Sequence, residues 1–176
     1  ENFNKASELH KEKNFIKSLT IYKELDRLKP NQISILNNIG LIFEKLEQYT
    51  EAINYYEKCN QINPNQVIII SNLTNIYCKL EKYTEALPLL KKIIDSNYQN
   101  EYNHKKLATC LFNTSNRKDT KDFLELAIIK FPNNNGLNEL LGKTLLSLNI
   151  HKDGVKYLQK GVGFIEFNNK GINYLS

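Results

Sequence analysis

Nearly the same nine residues occur twice in this chain, as KLEQYTEAI from Lys45 and as KLEKYTEAL from Lys79, 34 residues later. The interval recurs elsewhere. Pro30 and Pro64 are 34 apart, and Pro132 falls two periods beyond Pro64, with Tyr98 in the skipped slot. Aromatic residues follow the same step at Phe15, Tyr49 and Tyr83. Small residues stand at Ser18, Ala52, Ala86, Thr120 and Gly154. Bulky residues stand at Tyr22, Tyr56, Leu90, Leu124 and Leu158, and again at Leu9, Phe43, Tyr77, Leu111 and Leu145. A sustained period of this length is the signature of a repeat architecture, so it limits the fold more than any other feature of the sequence.

Each cycle reads as two helices. From Ile33 to Gln66, the apolar residues Leu36, Ile39, Ile42, Phe43 and Leu46 recur with helical periodicity. EQYT interrupts the pattern, and Thr50 is expected to cap a second helix carrying Ala52, Ile53, Tyr56 and Cys59 on one face. The following NPN stops it, because the residue before a proline is pushed out of the helical region. Pro88 is expected within the first turn after Thr84, where few intrahelical bonds are lost. A helix pair cannot bury its apolar stripe alone, so successive pairs must stack.

Composition excludes several classes. The 176 residues are 41% hydrophobic and carry a net charge of +5, with lysines and carboxylates interspersed. That balance is too mild for a dedicated nucleic-acid binder. No apolar run is long enough to span a membrane. Cys59, Cys78 and Cys110 have neither metal-ligand spacing nor an even count, which points to a reducing compartment, the cytoplasm. His10, His104 and His151 fall in three different cycles, none with a second ligand at metal spacing. No nucleophile elbow or phosphate-binding glycine loop is present, so neither catalytic residues nor a cofactor or metal is expected. Two sequons, at Asn72 and Asn113, fall inside expected helices and read as coincidental. The chain opens with Glu1 and contains no methionine, as a piece of a longer protein would.

The offsets of these positions resemble the tetratricopeptide repeat. Counting Ile33 as the first position, Leu36, Ile39, Gly40, Phe43, Ala52, Tyr56, Cys59 and Pro64 occupy that family's pattern. The cycles from Val67, Glu101 and Asn135 follow it with increasing divergence; the one before Ile33 is truncated, with Lys5 where an apolar residue is expected. The resemblance implies an all-α, right-handed superhelical solenoid of about five helix-turn-helix pairs. The units expected are 1–32, 33–66, 67–100, 101–134 and 135–168, with 169–176 as a tail leading to a further segment or cap. Gly40 and Ala52 are expected to let helices cross closely, and the bulky residues of the 34-residue registers to form the core.

The resemblance also implies a concave face lined by the first helix of each pair. Its groove positions hold Asn38, Asn72 and Asn75, whose amides can grip the backbone of an extended peptide whatever its sequence. Lys79, Lys105, Lys106 and Lys143 would select acidic side chains, and Tyr102 and Phe112 would take an apolar anchor. The pattern of chaperone-tail binders is not met: of the five residues it needs, Asn37, Leu41, Asn72, Tyr102 and Lys106 stand in place, and only Asn72 matches fully. The function expected is a non-catalytic scaffold for another protein or peptide, with an acidic one fitting best, and neither nucleic acid nor a membrane span involved. After Gly161 the chain reads VGFIEFNNKGINYLS, apolar where an array usually ends in a polar face. That tail offers a route to self-association. It also supports the alternative that the array is the targeting region of a larger transferase or oxygenase.

Overall fold

The computed structural model describes residues 1–96, 100–168 and 171–174, so Tyr98 and half of the expected 169–176 tail lie outside the described residues. The chain divides into two compact units, Glu1–Glu81 and Lys82–Ser176.

The first unit holds α1 (Asn2–Lys11), α2 (Phe15–Leu28), α3 (Ile33–Lys45), α4 (Tyr49–Ile62) and α5 (Val67–Lys79), each packed on the next. Its core is the register set read from the sequence: Tyr22, Leu36, Ile39, Tyr56, Ile70 and Leu73 are almost fully buried. Gly40 and Ala52 sit where α3 crosses α4. A Cβ on Gly40 would lie 2.6 Å from Cε1 of Tyr56, so the ring occupies the space that the glycine leaves. Where a crossing position is polar, it bonds to the backbone. The buried Ser18 hydroxyl donates to the Ala6 carbonyl at 2.7 Å. Buried tyrosines are satisfied in the same way, Tyr56 donating to a Glu44 carboxylate oxygen at 3.1 Å and Tyr77 to Glu57 at 2.6 Å.

The second unit holds α6 (Tyr83–Asp95), α7 (Glu101–Thr114), α8 (Arg117–Lys130), α9 (Asn135–Ser147) and α10 (His151–Val162). Ala108, Leu124, Ala127, Ile128, Leu137, Leu141 and Leu145 form its core, with Phe123, Phe131, Leu140 and Tyr157 packed around it. His104 belongs to this core. Its ring stacks on Phe123, meets Phe131 edge-on, and its Nδ1 lies 2.9 Å from the Asn100 carbonyl. Thr120, at the crossing register, donates to the Leu111 and Asn116 carbonyls.

Three details differ from the expectations. Thr50 does not cap α4. The helix already begins at Tyr49 with Gln48 as its N-cap, because Glu47 adopts a left-handed φ of 58° and reverses the chain within three residues. For the same reason α6 starts at Tyr83 behind Glu81 at φ 56°, which places Pro88 past the first turn, where the helix lacks the bond to the Thr84 carbonyl. Finally, a short hairpin follows the ten helices. Gly163, at φ 85°, ends α10, and β1 (Ile165–Asn168) pairs antiparallel with β2 (Gly171–Tyr174), Ile165 opposite Tyr174 and Phe167 opposite Ile172. The sequences IEFN and INY alternate apolar and polar with period two, which suits strands rather than another helix turn. The hairpin starts inside the fifth 34-residue cycle, and the rest of the molecule is all-α.

Candidate functional site

In the first unit, the expected residues lie on α3 and α5, the first helices of two successive cycles. Asn38, Asn72 and Asn75 are half-buried and Lys79 is exposed. The α3 and α5 amides meet directly, with Asn72 Nδ2 donating to Oδ1 of Asn37 at 3.0 Å. This makes a polar rung between neighbouring first helices. It uses one N–H of Asn72; the other N–H and the carbonyl oxygen are outside that bond. Lys79, at the end of α5, turns onto the start of α4. Its ammonium donates to the Tyr49 hydroxyl and lies 4.5 Å from the centroid of that ring. The Tyr49 hydrogen bond is the main cause of an upward shift of the Lys79 pKa, with Glu47 and Glu44 adding to it.

In the second unit, the expected residues lie on α7 and α9. Tyr102 is 61% exposed, and the Lys106 ammonium sits 4.0 Å above its ring, a cation–π pair one turn apart. Lys105 runs its aliphatic stem across Gly136 of α9, and a Cβ there would collide with the lysine chain. Tyr102 and Lys105, with Asn100, Glu101 and Asn134, line an open cleft of about 430 Å³. Asn134 donates to Glu101 along its rim. Phe112 is half-buried, with the Arg117 guanidinium 4.0 Å from its ring centroid and donating to its carbonyl. Lys143 pairs with Glu139 at 2.5 Å.

The cations therefore have different settings. Lys143 faces a carboxylate, Lys106 and Lys79 face phenol rings, and Lys105 makes none of these pairings. The Glu139–Lys143 and Tyr102–Lys106 pairs follow from four-residue helical spacing and could be read from the sequence. Asn37, Tyr49 and Arg117 contact the expected residues without having been selected from the sequence. Tyr49 is 30 residues from Lys79 and carries no local signal. A larger hollow in the first unit, about 530 Å³, is lined by Glu1–Phe3, Leu25, Leu28, Lys29, Gln32, Ser34 and Ile35 and includes none of the expected residues. Among the described residues, no three His, Cys, Asp or Glu side chains gather as a metal site would need.

Family models described as tetratricopeptide repeats match residues 33–66 and 69–101. No curated protein sequence matches the chain. Solved structures do. YrrB, described as a TPR protein with an unusual peptide-binding site, is 19% identical, with 92% of this chain and 83% of that one covered at a TM-score of 0.81. MamA residues 41 to the end from Desulfovibrio magneticus RS-1 is 18% identical, covering 91% and 90% at 0.79. MamA AMB-1 is 17% identical, covering 91% and 87% at 0.80. At these identities the likeness establishes the fold, an all-α helical repeat.

Proposed function

Because this chain belongs to the tetratricopeptide-repeat family, we propose that it is a non-catalytic protein-interaction module whose first helices hold an extended segment of a partner protein. The observation that carries this reading is the Asn72–Asn37 rung. Two amides from successive first helices are held in a fixed relation, and Asn72 still has a donor and an acceptor to offer a peptide backbone. In the second unit, the open cleft beside Tyr102 and Lys105 suits a side chain with an apolar body and an anionic end. Lys106 and Lys143 contribute less to charge selection, since a ring and a carboxylate already engage them. Lys79 acts with Tyr49 as one unit, and Asn38, Asn75 and Phe112 complete the lining. The likeness in fold to YrrB, described as a TPR protein with an unusual peptide-binding site, supports this reading.

The test is a peptide-library selection on the full chain, followed by titration of the captured peptides. Asn72→Ala is expected to weaken all of them about tenfold, the scale of a buried amide left without its partner. Lys105→Glu is expected to weaken acidic peptides selectively, and more so at low salt. Unchanged affinity in both variants would move the binding site away from the first helices.

A further inference from the structure

The net charge is unevenly placed. Residues 1–81 hold ten basic and ten acidic residues, whereas residues 82–176 hold fourteen and nine. Many cations are already engaged. Lys23, Lys58, Lys106 and Lys130 lie over aromatic rings, and Lys121 and Lys143 meet carboxylates. Helix α10 differs. Lys152, Lys156 and Lys160 are all exposed, spaced four residues apart, so they form one row about 12 Å long on the side away from the buried Gly154 and Leu158. Among the described residues, no carboxylate or ring engages any of the three. Asp153 is the one carboxylate on the helix. Just past the left-handed Gly163, and four residues beyond Lys160 in the chain, Phe164 stands 81% exposed.

We propose that this face of α10, with Phe164 at its end, docks the protein on an anionic lipid bilayer. Three features select a bilayer over other polyanions. The cations are lysines, compact point charges that suit a plane of mobile headgroups and lack the planar fork with which arginine grips one phosphate. A single exposed ring next to the row, Phe164, can enter the headgroup boundary, whereas single-stranded nucleic acid needs successive rings on which to stack. A folded acidic partner would call for an apolar centre between the charges, and the residues beside the row are mostly polar: His151, Asp153 and Gln159 are exposed, and the one apolar neighbour, Val155, is half-buried. Nothing spans the membrane in this arrangement, since no helix among the described residues is long and apolar enough to cross one.

Vesicle sedimentation of the full chain tests this directly. The parent should partition onto phosphatidylcholine vesicles that contain phosphatidylserine and not onto phosphatidylcholine alone, and should be released by raising the salt. Each lysine near such a surface contributes roughly a factor of five, so Lys152→Glu with Lys156→Glu and Lys160→Glu should lower partitioning by about a hundredfold or more. Phe164→Ser should lower it several-fold while leaving the salt dependence intact. A charge-matched control, Lys11→Glu with Lys13→Glu and Lys17→Glu, should retain most of the binding, and circular dichroism melts should show all variants folded. Equal loss in the control triple would reduce the effect to net charge and overturn the proposal. So would absence of binding by the parent, or loss of binding to single-stranded RNA in the α10 triple while vesicle binding persists.

Discussion

His10 lies near the turn of the first helix pair, its ring edge-on to Phe15 with centroids 5.6 Å apart. Partial burial, and then the positive charge of Lys45, hold its pKa below the ordinary imidazole value. The folded state therefore prefers the neutral ring. The associated stability is fully present above the unfolded value, near 6.5, and is lost as pH falls from there through the folded value. Chemical denaturation should show lower stability at about pH 5 than at about pH 7.5, by a small amount because the ring is half-exposed and solvent screens it. His10→Gln should flatten the part of that slope which lies between the two values; an unchanged slope would assign it to other groups. Residue-scale detail of this kind was only partly legible in the sequence. The core registers, from Tyr22 to Leu158, could be read because burial needs only the right side chain at the right interval. Three of the left-handed residues could not. Lys13, Glu47 and Glu81 share the 34-residue step at φ 61°, 58° and 56°, yet none is the glycine or asparagine that would announce such a turn.

At the scale of an element, the starts of the first helices form another register: Gln32, Gln66, Asn100 and Asn134. The side chains of Asn100 and Asn134 accept from the backbone N–H three residues on, at 2.8 Å in both cases. The longer glutamines make no such bond, and Oε1 of Gln66 is buried without a partner. At the start of α5 the Ile69 N–H donates instead to the Gln66 main-chain carbonyl at 3.0 Å, which leaves the Gln66 side-chain oxygen as an orphan acceptor. Gln66→Asn should offer the Ile69 N–H the side-chain acceptor that Asn100 and Asn134 supply at their helices and remove the stranded oxygen, gaining about 0.5–1 kcal/mol, the lower part of the capping range because that N–H already has a main-chain partner. A melting temperature that fails to rise would show that the α5 start is already satisfied. Asn134→Gln, the reverse exchange, should cost a similar amount at α9. The repeat interval made these four positions findable, but not their difference, which depends on one methylene of side-chain reach. The candidate site shows the same limit. Helical spacing revealed Lys106 over Tyr102, whereas the Asn72–Asn37 rung needed the offset of α5 against α3, which no single helix encodes.

At the scale of the whole molecule, each unit has its own core, and repeat proteins sum local stabilities with nearest-neighbour terms. A close backbone approach in the second unit lets this be tested with one atom. Gly142 of α9 faces α10 so tightly that a Cβ would lie 2.5 Å from the Leu158 backbone nitrogen and 2.8 Å from its Cα. On helix propensity alone, Gly142→Ala should stabilise by about 1 kcal/mol. Here the obstacle is helical backbone, which cannot swing aside as a side chain does, so overpacking should prevail and the net loss should be about 1–3 kcal/mol. Hydrogen exchange then reports where the loss is felt. Amides of α9 and α10 should exchange about five- to a hundredfold faster, following the loss, while those of α3 and α4 keep their parental rates. Equal acceleration in α3 and α4 would mean that the chain opens as a single cooperative body. Faster exchange confined to α9 and α10 means that the Tyr102–Lys105 cleft, which borrows Asn134 from the start of α9, can be loosened without disturbing the asparagine rung of the first unit.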